Sequence, residues 1–191
     1  RGEGWAKETL KDMCSLITCG VASTPKYVDE SVGIPFLSAQ NVKNGKIKLH
    51  KYRFISREFH EKLTKKNKPE QGDVLYSRVG AGFGDAAIVD FNFEFSVYVS
   101  LTLIKPRLDR ISSEFLTQLL NSPLVKKQAV SSITSSGVPN LNVKSVREFI
   151  VFIPPLTAQK NIVKEIKLIS EQQNQLKSVY QNKLASLDEL K

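Results

Sequence analysis

The strongest constraint on this chain is at its end. From Thr157 to Lys191 there is no glycine and no proline, and the stretch follows directly on the Pro154-Pro155 break. Its bulky residues Ile162, Ile166, Ile169, Leu176, Tyr180, Leu187 and Leu190 are separated by steps of 4, 3, 7, 4, 7 and 3. That is the a/d rhythm of a coiled coil, with Gln173 and Lys183 in the skipped seam positions. Polar residues there weaken a seam but fix its register or partner. A helix of this length extends about 50 Å, too far to lie on a domain built from the rest of the chain. The pattern predicts residues 156–191 as one long helix that meets an outside partner. The competing possibility is an amphipathic helix packed back on its own domain.

The preceding 155 residues are expected to form one mixed domain. Residues Ile34 to Leu37 suit a strand that tolerates a proline at its start. Asn44-Gly45 marks a two-residue hairpin turn between Ala39–Val42 and Lys46–Leu49. Ser56 caps a helix to Leu63, and Ser112-Ser113 begins another with a hydroxyl cap and Glu114 early, reaching Leu120 and stopped by Ser122-Pro123. Leu124 to Val130 adds a further helical turn or two. Strands are expected over Asp73–Ser77, Ala86–Phe91, Val97–Ile104 and Phe149–Ile153. Thr9 to Cys19 reads as a short helix or a strand entry. The fold class is therefore α+β: a twisted, mixed β-sheet with short helices, followed by one long C-terminal helix.

Charge supplies the first functional hint. The net charge is +9, and between Lys26 and Lys68 there are eleven Lys or Arg against four Asp or Glu. A concentrated excess of this kind is the footprint of a polyanion partner. The segment also interleaves aromatics, as in His50-Lys51-Tyr52-Arg53-Phe54. Lys43, Lys46, Lys48, Lys51 and Arg53 are candidates to neutralise phosphates. Gln40 and Asn41 carry the carboxamides suited to bidentate contact with adenine. Ser77 and Arg78 open a loop that runs into Gly80-Ala81-Gly82-Phe83-Gly84, and Thr134, Ser135 and Ser136 sit in a second polar loop. These twelve are the candidate DNA-binding residues.

No catalytic constellation stands out. The glycine string is followed by a strand-like run, so it lacks the helix whose N-terminus would hold a phosphate. His50 and His60 have no second ligand at helical spacing, and Cys14 and Cys19 have no second pair to complete a zinc site. No catalytic residue, metal ligand or bound cofactor is expected, and binding is the default reading. The absence of a long apolar run and the polar, mixed first 13 residues point to a cytoplasmic protein.

The ordered phrases along the chain resemble half of a specificity (S) subunit of a Type I DNA restriction–modification system. They are Gly4-Trp5, then Ile34-Pro35-Phe36-Leu37-Ser38-Ala39-Gln40-Asn41-Val42 with Gly45-Lys46-Ile47, then Gly72-Asp73-Val74-Leu75-Tyr76-Ser77-Arg78 with Gly80, Gly84 and Ala87. Phe115-Leu116, Leu120-Asn121-Ser122-Pro123, Pro139-Asn140-Leu141-Asn142 and Ile153-Pro154-Pro155-Leu156 with Gln159, Ile162 and Val163 complete the set. The resemblance implies a target recognition domain over residues 1–155 that reads half of a bipartite double-stranded DNA site. It implies that the helix over 156–191 is a spacer that docks modification subunits. Methylation and cleavage would belong to modification and restriction subunits that use S-adenosylmethionine, ATP and Mg. Such subunits carry two recognition units, whereas this sequence holds one, so an isolated half or a fragment is expected. Two-fold logic then predicts a homodimer through Ile162, Ile166, Ile169, Gln173, Leu176, Tyr180, Leu187 and Leu190. Two other readings remain at this point: a coiled-coil scaffold whose basic surface meets protein or RNA, and a recognition fragment of a DNA methyltransferase. The missing Asn/Asp-Pro-Pro-aromatic motif speaks against methyl transfer by the chain itself.

Overall fold

A computed structural model describes residues 4–22, 25–133 and 140–188. The domain is closed by its two ends. Strand β1 (Ala6–Thr9) pairs antiparallel with β11 (Ile150–Ile153), Ala6 opposite Ile153 and Thr9 opposite Ile150. The chain therefore returns to its starting edge immediately before Pro154-Pro155 turns it away. After β1 come a single helical turn, α1 (Leu10–Met13), and β2 (Cys14–Cys19).

The central sheet has the order β2-β10-β7-β8, with β7 at Val74–Ser77, β8 at Ala86–Ile88 and β10 at Leu101–Pro106. All its pairings are antiparallel. Every residue of β7 is buried, as expected of a strand covered on both faces. On one side lie α3 (Ser113–Asn121), α4 (Pro123–Ser131) and α5 (Val143–Arg147). Their apolar residues join Tyr76, Ile104 and Phe149 in the larger core cluster. The other side packs Leu75, Leu103, Phe95 and Leu37 into a second cluster.

That second cluster reaches a smaller sheet of order β6-β3-β9, formed by β3 (Ile34–Leu37), β6 (Arg53–Ile55) and β9 (Ser96–Val97). Its β3·β9 pairing is parallel, so the strand set is mixed. A two-stranded hairpin, β4 (Val42–Lys43) with β5 (Lys46–Ile47), stands beside it. Asn44 and Gly45 have φ of 53° and 74°, the doubly left-handed geometry that tight hairpins favour. Helix α2 (Arg57–Thr64) follows, capped as expected by the Ser56 hydroxyl, which accepts from Phe59 N at 3.2 Å. Ser112 caps α3 in the same way through Phe115 N at 3.1 Å.

Three local expectations are corrected. Ala39–Asn41 is a 3-10 turn rather than a strand arm, because the Asn41 side chain draws the backbone round on itself. The stretch expected as one strand over Val97–Ile104 is two, because the chain changes sheets between β9 and β10. Gly20 makes that crossing possible: a β-carbon there would lie 2.0 Å from the carbonyl oxygen of Val97. Strand β8 ends at Ile88, short of Phe91. Strand β1 and helix α5 were not expected from the sequence at all.

The long helix α6 spans Leu156–Asp188. Its first turns pack on the domain: Gln159 and Val163 are buried, and Ile162 packs against the larger core cluster. Ile162, one of the residues assigned to the outward seam, is thus half-buried against the core of its own domain. Beyond it the helix leaves its own domain. Leu168, Ile169, Leu176, Val179, Tyr180 and Leu184 are each 50–62% exposed. The base of the helix thus packs back on its own domain, while the shaft is exposed. Gln173 is also exposed, while the side chains of Leu187 and Leu190 lie outside the described residues. Leu168, Val179 and Leu184 widen the apolar stripe beyond the heptad positions read from the sequence. None of the helices among the described residues is long and apolar enough to cross a membrane.

Candidate nucleic-acid interface

The basic segment lies beside an open cleft of about 550 Å³. Its walls come from the end of β3 with the 39–41 turn, strand β4, the start of β6, the loop 79–82 after β7, Tyr27, and residues Tyr98 and Ser100 between β9 and β10. Among the lining residues Lys43 and Arg53 are basic and none is acidic.

Two buried polar side chains form the frame of this cleft. Asn41 is 1% exposed. Its Oδ1 accepts from Ser38 N at 3.0 Å, and its Nδ2 donates to the carbonyls of Lys48 (2.9 Å) and Lys51 (3.1 Å). Asn41 therefore holds the basic loop 48–51 against the 39–41 turn, and its carboxamide is fully used inside the protein. Arg78 is 9% exposed. It donates from Nε to Leu141 O, from Nη1 to Val99 O (3.1 Å) and from Nη2 to Asn140 Oδ1 (3.2 Å). Its main chain adds bonds with Ser100 O and Leu141 N. A buried guanidinium needs such a set of acceptors to offset its desolvation. Ser77 is likewise fully buried, its hydroxyl donating to Val79 O at 3.3 Å. Asn41, Ser77 and Arg78 thus build the site from beneath. These three of the twelve candidates thus have their polar groups engaged inside the protein.

The remaining candidates face outward. Gln40, Lys43, Lys46, Lys48, Lys51 and Arg53 are all exposed. Some cations elsewhere are paired with carboxylates, Arg57 and Lys68 with Glu94, Lys105 with Glu70 and Asp73, Lys126 with Asp85, Arg110 with Glu8 and Lys11 with Glu148; others, such as Lys62, Lys65 and Lys66, form no ion pair among the described residues. Lys43, Lys46, Lys48, Lys51 and Arg53 form no ion pair among the described residues. Thr134, Ser135 and Ser136 fall outside the described residues.

The loops are held closely. Ala39 N donates to Ser100 Oγ at 2.9 Å. A β-carbon at Gly82 would stand 3.0 Å from Val42 O, so the 80–82 turn sits directly against the hairpin. Asp85 accepts from Asn44 N at 3.2 Å and so ties the tip of the β4–β5 turn to the central sheet. Gln40 Nε2 donates to Lys51 O at 3.1 Å. Sequence reasoning missed Tyr27, whose ring lies under Arg53 with the guanidinium carbon 4.4 Å from its centroid. It also missed Tyr98, which meets Phe36 edge-on at 5.8 Å. An aromatic in a loop carries no periodic signal, and only the neighbouring strands make these two part of the cleft.

His60 is buried, with Nδ1 2.9 Å from Ser96 Oγ, and burial holds its pKa below the usual range. Burial pushes the Cys14 thiol up to about 12, which keeps it from acting as a thiolate. Among the described residues no three of His, Cys, Asp or Glu gather as a metal site.

Comparison with known proteins agrees with the geometry. The family model described as "Type I restriction modification DNA specificity domain" matches residues 2–185. Two curated Escherichia coli relatives are the Type I restriction enzyme EcoBI specificity subunit, 25% identical over 98% of this chain, and the EcoKI specificity subunit of strain K12, 23% identical over 90%. The chain spans 40% and 37% of their lengths. Among solved structures, a chain of a type I R-M system superposes with a TM-score of 0.75 at 23% identity, covering all of this chain and 44% of that one. The HsdS subunit of Thermoanaerobacter tengcongensis superposes at 0.63 with 16% identity, over 91% of this chain and 44% of that one. Both superpositions establish the α+β fold and its long terminal helix. The chain belongs to the Type I restriction modification DNA specificity domain family.

Proposed function

We propose that this chain reads one part of a bipartite double-stranded DNA target and is itself non-catalytic. The observation that carries this reading is the acid-free cleft, bordered by cations that no carboxylate neutralises. Lysines and arginines so placed release counterions from DNA phosphates, which supplies affinity. Residues on the cleft wall then meet base edges, which supplies sequence preference. The buried frame of Asn41 and Arg78 keeps that wall in one geometry, so little ordering entropy opposes binding.

The helix acts as a spacer. Its base is fixed to the recognition domain, and its exposed apolar shaft takes the place of one strand of a coiled coil. The partner in the shaft is the helix of a second recognition unit, here a second copy of the chain, which gives a two-fold arrangement of two DNA-reading domains. Modification subunits bound along this pair carry S-adenosylmethionine, and restriction subunits carry ATP and Mg. The site of action is the cytoplasm. The test is to assemble the chain with modification subunits, expose genomic DNA to them, and read the methylated positions. One recurring two-part motif is expected, and methylation scattered without a common sequence would reject the reading.

A further inference from the structure

Seven arginines occur in the chain, and six of them lie among the described residues. Five of the six use their guanidinium groups within the protein: Arg57 on Glu94, Arg78 on three acceptors, Arg107 on Cys14 O, Arg110 on Glu8 and Asp12 O, and Arg147 on Ile17 O. Arg53 alone makes no guanidinium hydrogen bond among them. It is nevertheless positioned. Its strand β6 pairs with β3 on one edge, Phe36 opposite Arg53, and receives Tyr27 on the other edge opposite Ile55. Residues two apart on a strand share a face, so Arg53 is the diagonal neighbour of Tyr27, within reach of a long side chain. Its guanidinium lies over the Tyr27 ring at 4.4 Å. Stacking of this kind restrains the plane of the group and leaves its edge donors available. The Tyr27–Arg53 pair lines the acid-free cleft with Gln40 and Lys43.

Holding a guanidinium in one plane aims its fork of donors in one direction, whereas the lysines around the cleft, as point charges, can meet phosphates from many directions. The aimed fork suits a planar acceptor pair. We infer that Arg53, restrained on Tyr27, is a specificity-determining residue that donates two hydrogen bonds to O6 and N7 of one guanine in the DNA major groove. The inference rests on the DNA-recognition reading above and names one base within it. Lys43, on the same wall but without an aromatic platform, serves a phosphate.

The experiment uses this chain assembled with modification subunits. A pool of random-sequence duplexes is selected by the wild type and by the Arg53→Lys, Arg53→Ala and Tyr27→Leu variants. Thermal melting accompanies each; the Arg53 variants should melt close to the wild type, because Arg53 is exposed and makes no hydrogen bond through its guanidinium among the described residues, and Tyr27→Leu is read only where its melting shows it folded. The wild type should recover a motif with a guanine at one position, preferred roughly ten- to a hundredfold over other bases. Arg53→Lys keeps the charge but loses the fork, so that preference should fall to near unity while the other positions and the salt dependence stay as they were. Tyr27→Leu should weaken the same position. A motif that survives Arg53→Lys in full overturns the assignment. So does an Arg53→Ala variant that weakens all sequences equally and lowers the salt slope by about one, since that is the signature of a phosphate contact. A wild-type complex that enriches no sequence removes the recognition reading and the role of Arg53 with it.

Discussion

Gln159, in the first turns of the long helix, accepts a hydrogen bond from the backbone N–H of Ser112 at 2.9 Å. Ser112 is the N-cap of α3. The same buried carboxamide donates to Arg110 O at 2.9 Å and Pro154 O at 3.0 Å. One side chain therefore joins the spacer helix, the proline break and the recognition domain. The direction in which the shaft leaves the domain is set there, and in the proposed pairing of two DNA-reading units that direction matters as much as length.

Gln159→Leu removes the partners of one donor and two acceptors at a buried site. Each such group left unpaired costs about 1–3 kcal/mol, so a total loss of at least about 3 kcal/mol is expected in urea denaturation. Gln159→Glu should also destabilise, because it loses both donated bonds and adds a buried charge.

Arg78 separates a frame role from a readout role. Arg78→Lys can reach only part of the three acceptors, and about 2 kcal/mol of stability should be lost. The folded variant should keep the wild-type sequence preference. Unchanged stability with a lost base preference would return Arg78 to the DNA-reading set.

The lysines test the electrostatics. Replacing Lys43, Lys46, Lys48 or Lys51 by Gln should leave stability within about 0.5 kcal/mol, since all four are exposed and unpaired among the described residues. For each one that meets a phosphate, the slope of log affinity against log salt should fall by about 0.9. The check is a series of binding titrations across salt concentrations.

The shaft of α6 is separable from its base. Ile169→Glu with Leu176→Glu should convert a dimer to a monomer in a solution mass measurement, with the melting temperature of the recognition domain unchanged. Ile162→Glu should instead lower that melting temperature, because Ile162 packs on the core. A wild-type chain that stays monomeric at micromolar concentration contradicts the seam.

Glu94 sets a small acid-side dependence. Hydrogen bonds from Lys68 and Arg57 hold its carboxyl at about 2 against an ordinary value of 4.5. A depressed folded pKa contributes stability that is present above about 4.5 and is lost as pH falls towards about 2. Glu94→Gln should flatten that limb of the stability–pH curve. The effect is modest because the group is solvent-screened.

Much of the fold was legible where local chemistry decides it. The Asn44-Gly45 turn and the Ser56 and Ser112 caps depend on residues within three or four positions, and all three appear as expected. The long helix was legible from its period. What local chemistry could not tell was which polar residues are buried. Asn41 and Gln40 are neighbours with similar carboxamides, yet one frames the cleft and the other faces it. The difference arises because the loop 48–51 folds over Asn41. Arg78 is covered by Val99 and Leu141, about 20 and 60 residues away. Ile162 satisfies the heptad and the core at once, and only tertiary packing decides between them. Tyr27 joins the cleft through a bridge to Ile55 that no pattern announces.

The most direct test of the account is a competitive titration of the chain, assembled with modification subunits, at about 150 mM salt. One duplex carries the motif recovered from its methylated DNA, and the competitor has the same composition in scrambled order. Specific recognition predicts that the motif binds at least about a thousandfold more tightly. Equal affinity for the two duplexes would contradict it.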